Sequence, residues 1–155
     1  MIEYKWTDGN DKDFIRFYGI TERYYTKMAG GIDKREGFIP YNLSSLISDV
    51  LIAYDDGVAV GCAGLKGYSD KDAEIKRVWV DPDHRGMRIA TAMMEQLEAK
   101  ALAEGYTRMI LQTRPAMEDA VSLYLKLGYD FIDNYPPYDK LEGAICLAKE
   151  ISSEG

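Results

Sequence analysis

The sequence predicts a single domain of mixed α/β (α+β) class, with a mixed and mostly antiparallel sheet covered by helices on both faces. Three observations carry this expectation. Apolar runs over Val50–Tyr54 and Val58–Leu65 meet at Asp56-Gly57, a hairpin signal. A strand-like run over Ala73–Val80, an amphipathic helix and a second strand-like run over Thr107–Thr113 make a βαβ crossover, whose two strands should be parallel. A further helix and a closing pair of strands complete the alternation. A chain of 155 residues is long enough to bury one core.

Each element has its own reason. Ile2–Thr7 alternates like a short strand, and Asp8-Gly9-Asn10 reads as a turn and helix cap. From Asp11 to about Ala29 the pattern is helical, with a break expected near Gly19. Phe14, Phe17, Tyr18, Tyr24, Tyr25 and Met28 recur at helical spacings, and Gly30-Gly31 stops the run. Asp33–Gly37 is a charged loop, and Asn42–Asp49 a short capped helix. Ser69–Asp72 turns into the strand Ala73–Val80. The helix from Met87 to about Glu104 buries Ile89, Met93, Met94, Leu97 and Ala101 and stops at Gly105. Met117–Leu127 is a helix ended by Gly128, and Tyr129–Asp133 and Gly143–Lys149 close the sheet.

Composition excludes several classes of function. A net charge of −7 disfavours nucleic acid as a partner. No apolar run approaches the roughly 20 residues that span a bilayer, and Met1–Lys5 lacks the basic and apolar regions of a secretion signal. Cytoplasmic location is therefore the expectation. Cys62 and Cys146 lie in apolar strand-like runs and read as buried thiols of a reducing compartment. His84 is the only histidine, so neither a multi-histidine metal site nor a serine-based triad is expected.

Chemistry concentrates at Val78–Ala90. There a strand ends at Asp81-Pro82 and a helix opens at Arg85-Gly86. Such a junction aims backbone N–H groups and the positive end of a helix dipole at one spot, which suits a phosphate or pyrophosphate. Arginines are electrostatically misplaced at a helix start unless an anion binds there.

Arg85-Gly86-Met87-Arg88-Ile89-Ala90 resembles the acyl-CoA pyrophosphate loop of the GNAT superfamily of N-acetyltransferases, written Arg/Gln-x-x-Gly-x-Gly/Ala. Arg88 replaces the usual glycine. An already helical backbone tolerates an arginine there; a positive φ strains it. Ala120–Tyr129 resembles the family's later helix with its Tyr-x-x-x-Gly-Phe/Tyr ending. Ala73–Val80 resembles the strand that carries the catalytic base, and Gly61–Leu65 the strand before it. The likeness runs from about Val50 to Lys149.

This resemblance implies a GNAT-like fold whose central parallel strands splay apart to admit the pantetheine arm of acetyl-CoA, the acyl donor, with no metal. It implies Glu74 as base and Tyr124 as acid to the departing thiolate. Arg85, Gly86, Met87, Arg88, Ile89 and Ala90 would hold the pyrophosphate, and the backbone of Val78, Trp79 and Val80 would hold pantetheine or the oxyanion. Alternation puts Glu74 on one face with Lys76, Val78 and Val80. Glu74 is equally a strand-end glutamate paired with Lys76 or Arg77, and Tyr124 equally a core tyrosine. Tyr24, Tyr25, Tyr41, Tyr135 and Tyr138 fall in the regions that flank the acceptor in similar proteins. Lys76 and Arg77 either bind an acceptor carboxylate or balance Glu74. His84 is a loop residue beside the phosphate site.

The expected activity is acetyl transfer from acetyl-CoA to a primary amine of a small molecule or amino acid, by direct attack in a ternary complex. The alternatives are a protein or peptide amine as acceptor, or a non-catalytic acyl-CoA-binding sensor. Similar proteins often form homodimers. A nucleotide-binding protein is disfavoured, because neither Gly-x-x-x-x-Gly-Lys-Ser/Thr nor Gly-x-Gly-x-x-Gly occurs.

Overall fold

The computed structural model describes residues 1–28 and 47–152, apart from the side chains of Tyr25 and Met28. In chain order the elements are β1 (Ile2–Thr7), α1 (Lys12–Met28), β2 (Asp49–Asp55), β3 (Val58–Gly67), β4 (Asp72–Val80), α2 (Ile89–Ala103), β5 (Arg108–Thr113), α3 (Glu118–Lys126), β6 (Asp130–Ile132) and β7 (Ile145–Glu150). The strands form one seven-stranded sheet in the order β1-β2-β3-β4-β5-β7-β6. Every pairing is antiparallel except β4 with β5, which is parallel as the crossover requires.

Helices cover both faces. α2 buries Ile89, Met93, Met94, Leu97 and Ala101, and these pack with Leu51, Ala63, Ile75 and Tyr124. On the other face Phe14 and Phe17 of α1 pack with Val50, Ile52, Cys62 and Trp79. The β2–β3 turn places Asp56 at φ 48 and Gly57 at φ 86, the paired positive angles that match strand twist. Gly128, at φ 96, ends α3, and the Tyr129 hydroxyl then donates to Glu98 on α2 at 2.9 Å.

Several expectations change. α1 runs through Gly19 without a break, and its first amides are capped by Asp11 (2.8 Å to the Asp13 N–H) rather than by Asp8-Gly9-Asn10. The expected stop at Gly30-Gly31, the loop Asp33–Gly37 and Tyr41 lie outside the described residues. So does most of the helix expected over Asn42–Asp49; its last residue, Asp49, opens β2. α2 begins at Ile89, not Met87. No helix among the described residues is long and apolar enough to cross a membrane.

Two features of β4 shape the site. It pairs with β5 only at Asp72–Arg108, Ala73–Met109 and Glu74–Ile110. Beyond Glu74, β4 follows β3 and β5 follows β7, so the sheet forks. In addition, Cys62 pairs with Trp79 and Gly64 with Lys76, so Arg77 and Val78 together oppose Ala63. This is a β-bulge, and Arg77 takes φ 54 within it. The bulge overturns the expected alternation. Val78 and Val80 join Ala73 and Ile75 in the core beneath α2, which places Glu74 and Lys76 on the opposite face.

Candidate active site

The junction after β4 is built from backbone. The Asp81 N–H bonds to Val60 O at 2.8 Å, and the His84 N–H closes a 3-10 turn on Asp81 O at 2.9 Å. Gly86 then takes φ 87. Arg88 sits at φ 61, ψ 22 as the N-cap of α2, with no side-chain cap. The helical ladder starts with Ala92 N–H to Arg88 O at 3.0 Å. The N–H groups of Ile89, Ala90 and Thr91 therefore precede the ladder and carry the positive end of the helix. Arg88 is not helical; it holds the left-handed conformation that disfavours an L-residue by about 1–2 kcal/mol.

These groups open on a cavity of about 730 Å³. Val78, Trp79 and Val80 form its β4 wall. His84, Arg85, Gly86, Arg88, Ile89, Ala90 and Thr91 form one rim, and Ala116–Ala120, Leu123, Tyr124 and Lys126 the other. Tyr24 reaches it from α1, so the cavity extends around β4 from one face of the sheet toward the other. Of the expected loop residues, Met87 alone does not line it, its side chain being 53% exposed.

Trp79 anchors the wall. Tyr24 meets its ring edge-on at 5.3 Å, the Arg85 guanidinium lies 4.8 Å from its centroid, and its indole N–H donates to Asp81 at 3.1 Å. Arg85 also donates to Val80 O at 2.9 Å, so part of its hydrogen-bonding capacity braces the wall. His84 bonds Asp55 at 3.0 Å, which holds the Asp55 carboxyl below its ordinary value and ties the loop to the end of β2. The buried Nδ1 of His84 has no hydrogen-bond partner.

Arg77 turns toward α1. It pairs with Glu22 and donates to Thr21 Oγ1 at 3.0 Å, both on α1, and its guanidinium lies 4.3 Å from the Tyr18 ring centroid. Its carbonyl accepts from the Cys62 thiol at 3.2 Å. Burial pushes that thiol far up, which leaves it inert as a nucleophile.

Glu74 belongs to a second cluster, at the point where the sheet forks. It is 3% exposed. The Tyr135 hydroxyl donates to its Oε2 at 2.7 Å, and Lys76 Nζ lies 3.4 Å from its Oε1. Lys76 also donates to the Tyr138 hydroxyl at 2.5 Å. Tyr135 stacks edge-on with Tyr68 at 5.0 Å and with Tyr138 at 5.5 Å. Burial pushes both Tyr135 and Tyr138 well above the usual phenol value, and the Glu74 charge adds to the effect. Burial pulls Lys76 down against the pull of Glu74.

The structure thus brings Glu74, Tyr135 and Tyr138 into one cluster and places Tyr124 with the α2 junction on the cavity. Arg77 hydrogen-bonds into neither and is held by α1. Tyr25's side chain and Tyr41 lie outside the described residues. Sequence reasoning missed Tyr68 and Thr91, and did not foresee the bond from Lys76 to Tyr138. Lys76 had a local signal, since it stands two residues from Glu74 on one face; Tyr68 had none.

A forked parallel pair with an uncapped helix start at its mouth defines a class of domain able to take a long ligand with an anionic segment. The model of the acetyltransferase (GNAT) family matches residues 14–129, and the chain belongs to that family. The IAA acetyltransferase of Azospirillum brasilense is 31% identical over 93 residues, covering 57% of this chain and 58% of its own. An acetyltransferase of Pectobacterium atrosepticum is 32% identical over 83 residues, covering 54% and 58%. The chain therefore spans a little over half the length of these curated relatives. Among solved structures, a Klebsiella pneumoniae protein assigned as an acyl-CoA N-acyltransferase superposes with a TM-score of 0.81 at 24% identity, over 98% of this chain and 99% of that one. The paia N-acetyltransferase of Thermoplasma acidophilum, in complex with coenzyme A, gives 0.70 at 18% identity, over 97% and 99%. These likenesses show the fold.

Proposed function

We infer that the protein is an acyl-CoA-dependent N-acetyltransferase acting on a primary amine of a small molecule or amino acid. The observation that carries this is the cavity that joins the α2 helix start to the β4 wall beyond the fork. Its residues fit a coenzyme A thioester. The free N–H groups of Ile89–Thr91 with Arg88 suit the pyrophosphate, and Val78–Val80, where β4 no longer pairs with β5, offer a strand edge to the pantetheine arm. The bound donor supplies an activated acetyl group and a thiolate leaving group.

The protein's own part is positioning and proton handling. Holding amine and thioester together removes much of the entropic barrier. A protonated amine cannot attack, so a base must take its proton; Glu74 at the fork is assigned that role. Both its oxygens are engaged and it does not line the cavity, which favours transfer through a water. Tyr124 lines the cavity and is assigned as acid to the thiolate. With Cys62 buried and inert, direct attack in a ternary complex is favoured over an acyl-enzyme.

The test is thiol release from acetyl-CoA across a panel of amines, amino acids, polyamines and peptides. Acceptor-dependent release, reduced at least tenfold in Tyr124→Phe and in Glu74→Gln, is expected. Undiminished release in both variants would remove the assigned roles.

A further inference from the structure

We propose that Lys76 is a positioning residue of this enzyme, which together with Tyr135 holds the Glu74 carboxyl aimed at the fork of β4 and β5. The inference rests on the assignment of Glu74 as base.

The geometry separates this from an ordinary ion pair. Glu74 is the last residue of β4 that pairs with β5, so its side chain stands where the sheet opens. Each carboxylate oxygen has its own partner, Tyr135 on Oε2 and Lys76 on Oε1. Lys76 is held in turn, 2.5 Å from the Tyr138 hydroxyl and 5.1 Å from that ring's centroid. Tyr135 is held by Tyr68, whose hydroxyl reaches Pro136 O at 2.6 Å. The carboxylate is thus clamped between the β4 strand and the loop that precedes β7.

A buried ion pair is a poor way to stabilise a fold, because desolvation offsets most of its attraction. Its use here is to set the direction of the carboxylate. Among the described residues, Lys76 is the cation that pairs with Glu74. The other groups facing the pair are Lys66 and Arg77 from β3 and β4, Tyr68 after β3, Tyr135 and Tyr138 before β7, and Cys146 from β7; Asp72 and Asp139 act on Tyr68.

The experiment is the pH dependence of kcat/KM for native protein, Lys76→Met, Lys76→Arg, Tyr135→Phe and Glu74→Gln, with the amine that the acceptor panel identifies. Losing the cation favours the protonated carboxyl, so in Lys76→Met the acidic limb should move to higher pH by about one unit. Activity then falls about tenfold on the acidic side and little on the plateau. Lys76→Arg should restore the native limb, and Tyr135→Phe should shift it the same way by less. If Lys76→Met does not fold, the Tyr135→Phe and Lys76→Arg profiles decide. A uniform loss at every pH, with both limbs in place, would make Lys76 purely structural and overturn the proposal. Native activity in Glu74→Gln, or no acetylation by native protein, would instead remove the base on which it rests.

Discussion

Arg88 is the residue whose backbone and side chain pull in opposite directions. Its φ of 61 and ψ of 22 lie in the left-handed region, which costs an L-residue about 1–2 kcal/mol. Glycine avoids that cost but adds about 0.4–1 kcal/mol of chain entropy to the unfolded state. The difference predicts that Arg88→Gly is about 0.5–1 kcal/mol more stable than Arg88→Ala, which keeps the strain and loses only the side chain. Equilibrium urea unfolding measures this directly, through a higher midpoint at unchanged slope. On melting, the gap should be roughly 1–4 °C for a chain of this size. Coenzyme A affinity should respond differently. Both variants lose the same guanidinium, and a hydrogen bond to a charged group contributes about 1.5–3 kcal/mol, so both should bind about tenfold or more weakly. Arg88→Ala equal to or more stable than Arg88→Gly would refute the strain argument, and unchanged affinity in both would refute the assignment of Arg88 to the anion.

Other consequences are equally direct. A Cβ added at Gly61 would lie 2.9 Å from Trp79 O, so Gly61→Ala should cost about 1–3 kcal/mol and weaken coenzyme A binding by displacing the β4 wall, read by urea midpoint and calorimetry. Arg77→Ala removes the β4 cation that pairs with Glu22 and bonds Thr21 of α1, and should destabilise by about 3 kcal/mol, measured by urea unfolding. Stability should hold up to alkaline pH and then fall. Tyr129, Tyr135 and Tyr138 have values raised by burial above the ordinary phenol value of 10.0, so their contribution is complete below pH 10 and lost above it. Cys62 acts in the same sense from its ordinary 9.0, while Lys76, whose value is lowered, acts oppositely. A urea midpoint that rises beyond pH 10 would contradict this balance.

Much of the fold was legible because its elements obey simple periods. The buried stripe of α2 is the set Ile89, Met93, Met94, Leu97 and Ala101 read from helical spacing. The Asp56-Gly57 hairpin needs only the two positive angles these residues tolerate. The bulge at Arg77–Val78 was not legible, because an extra residue changes no composition; it only moves every later side chain to the other face. That slip is why Glu74 parts from Val78 and Val80. Arg77 could not be assigned from β4 alone, since its partners Thr21 and Glu22 stand more than fifty residues away. The Tyr68–Tyr135–Tyr138 cluster has the same character, being a tertiary meeting of a post-β3 turn and a pre-β7 loop. The start of α2 was misplaced by two residues because left-handed arginine is rare, and the motif position that usually holds glycine gave the one clue.

The central claim is that the start of α2 binds the anionic part of an acyl-CoA. Its most direct measurement is calorimetric titration of coenzyme A into native protein and Ala90→Asp. Ala90 lines the cavity in the first turn of α2, where an aspartate stabilises the helix by about 0.3–1 kcal/mol yet repels a pyrophosphate. The account predicts saturable binding to native protein, and affinity at least tenfold weaker in Ala90→Asp with thermal stability equal or higher. No binding to native protein, or equal binding to both, would contradict it.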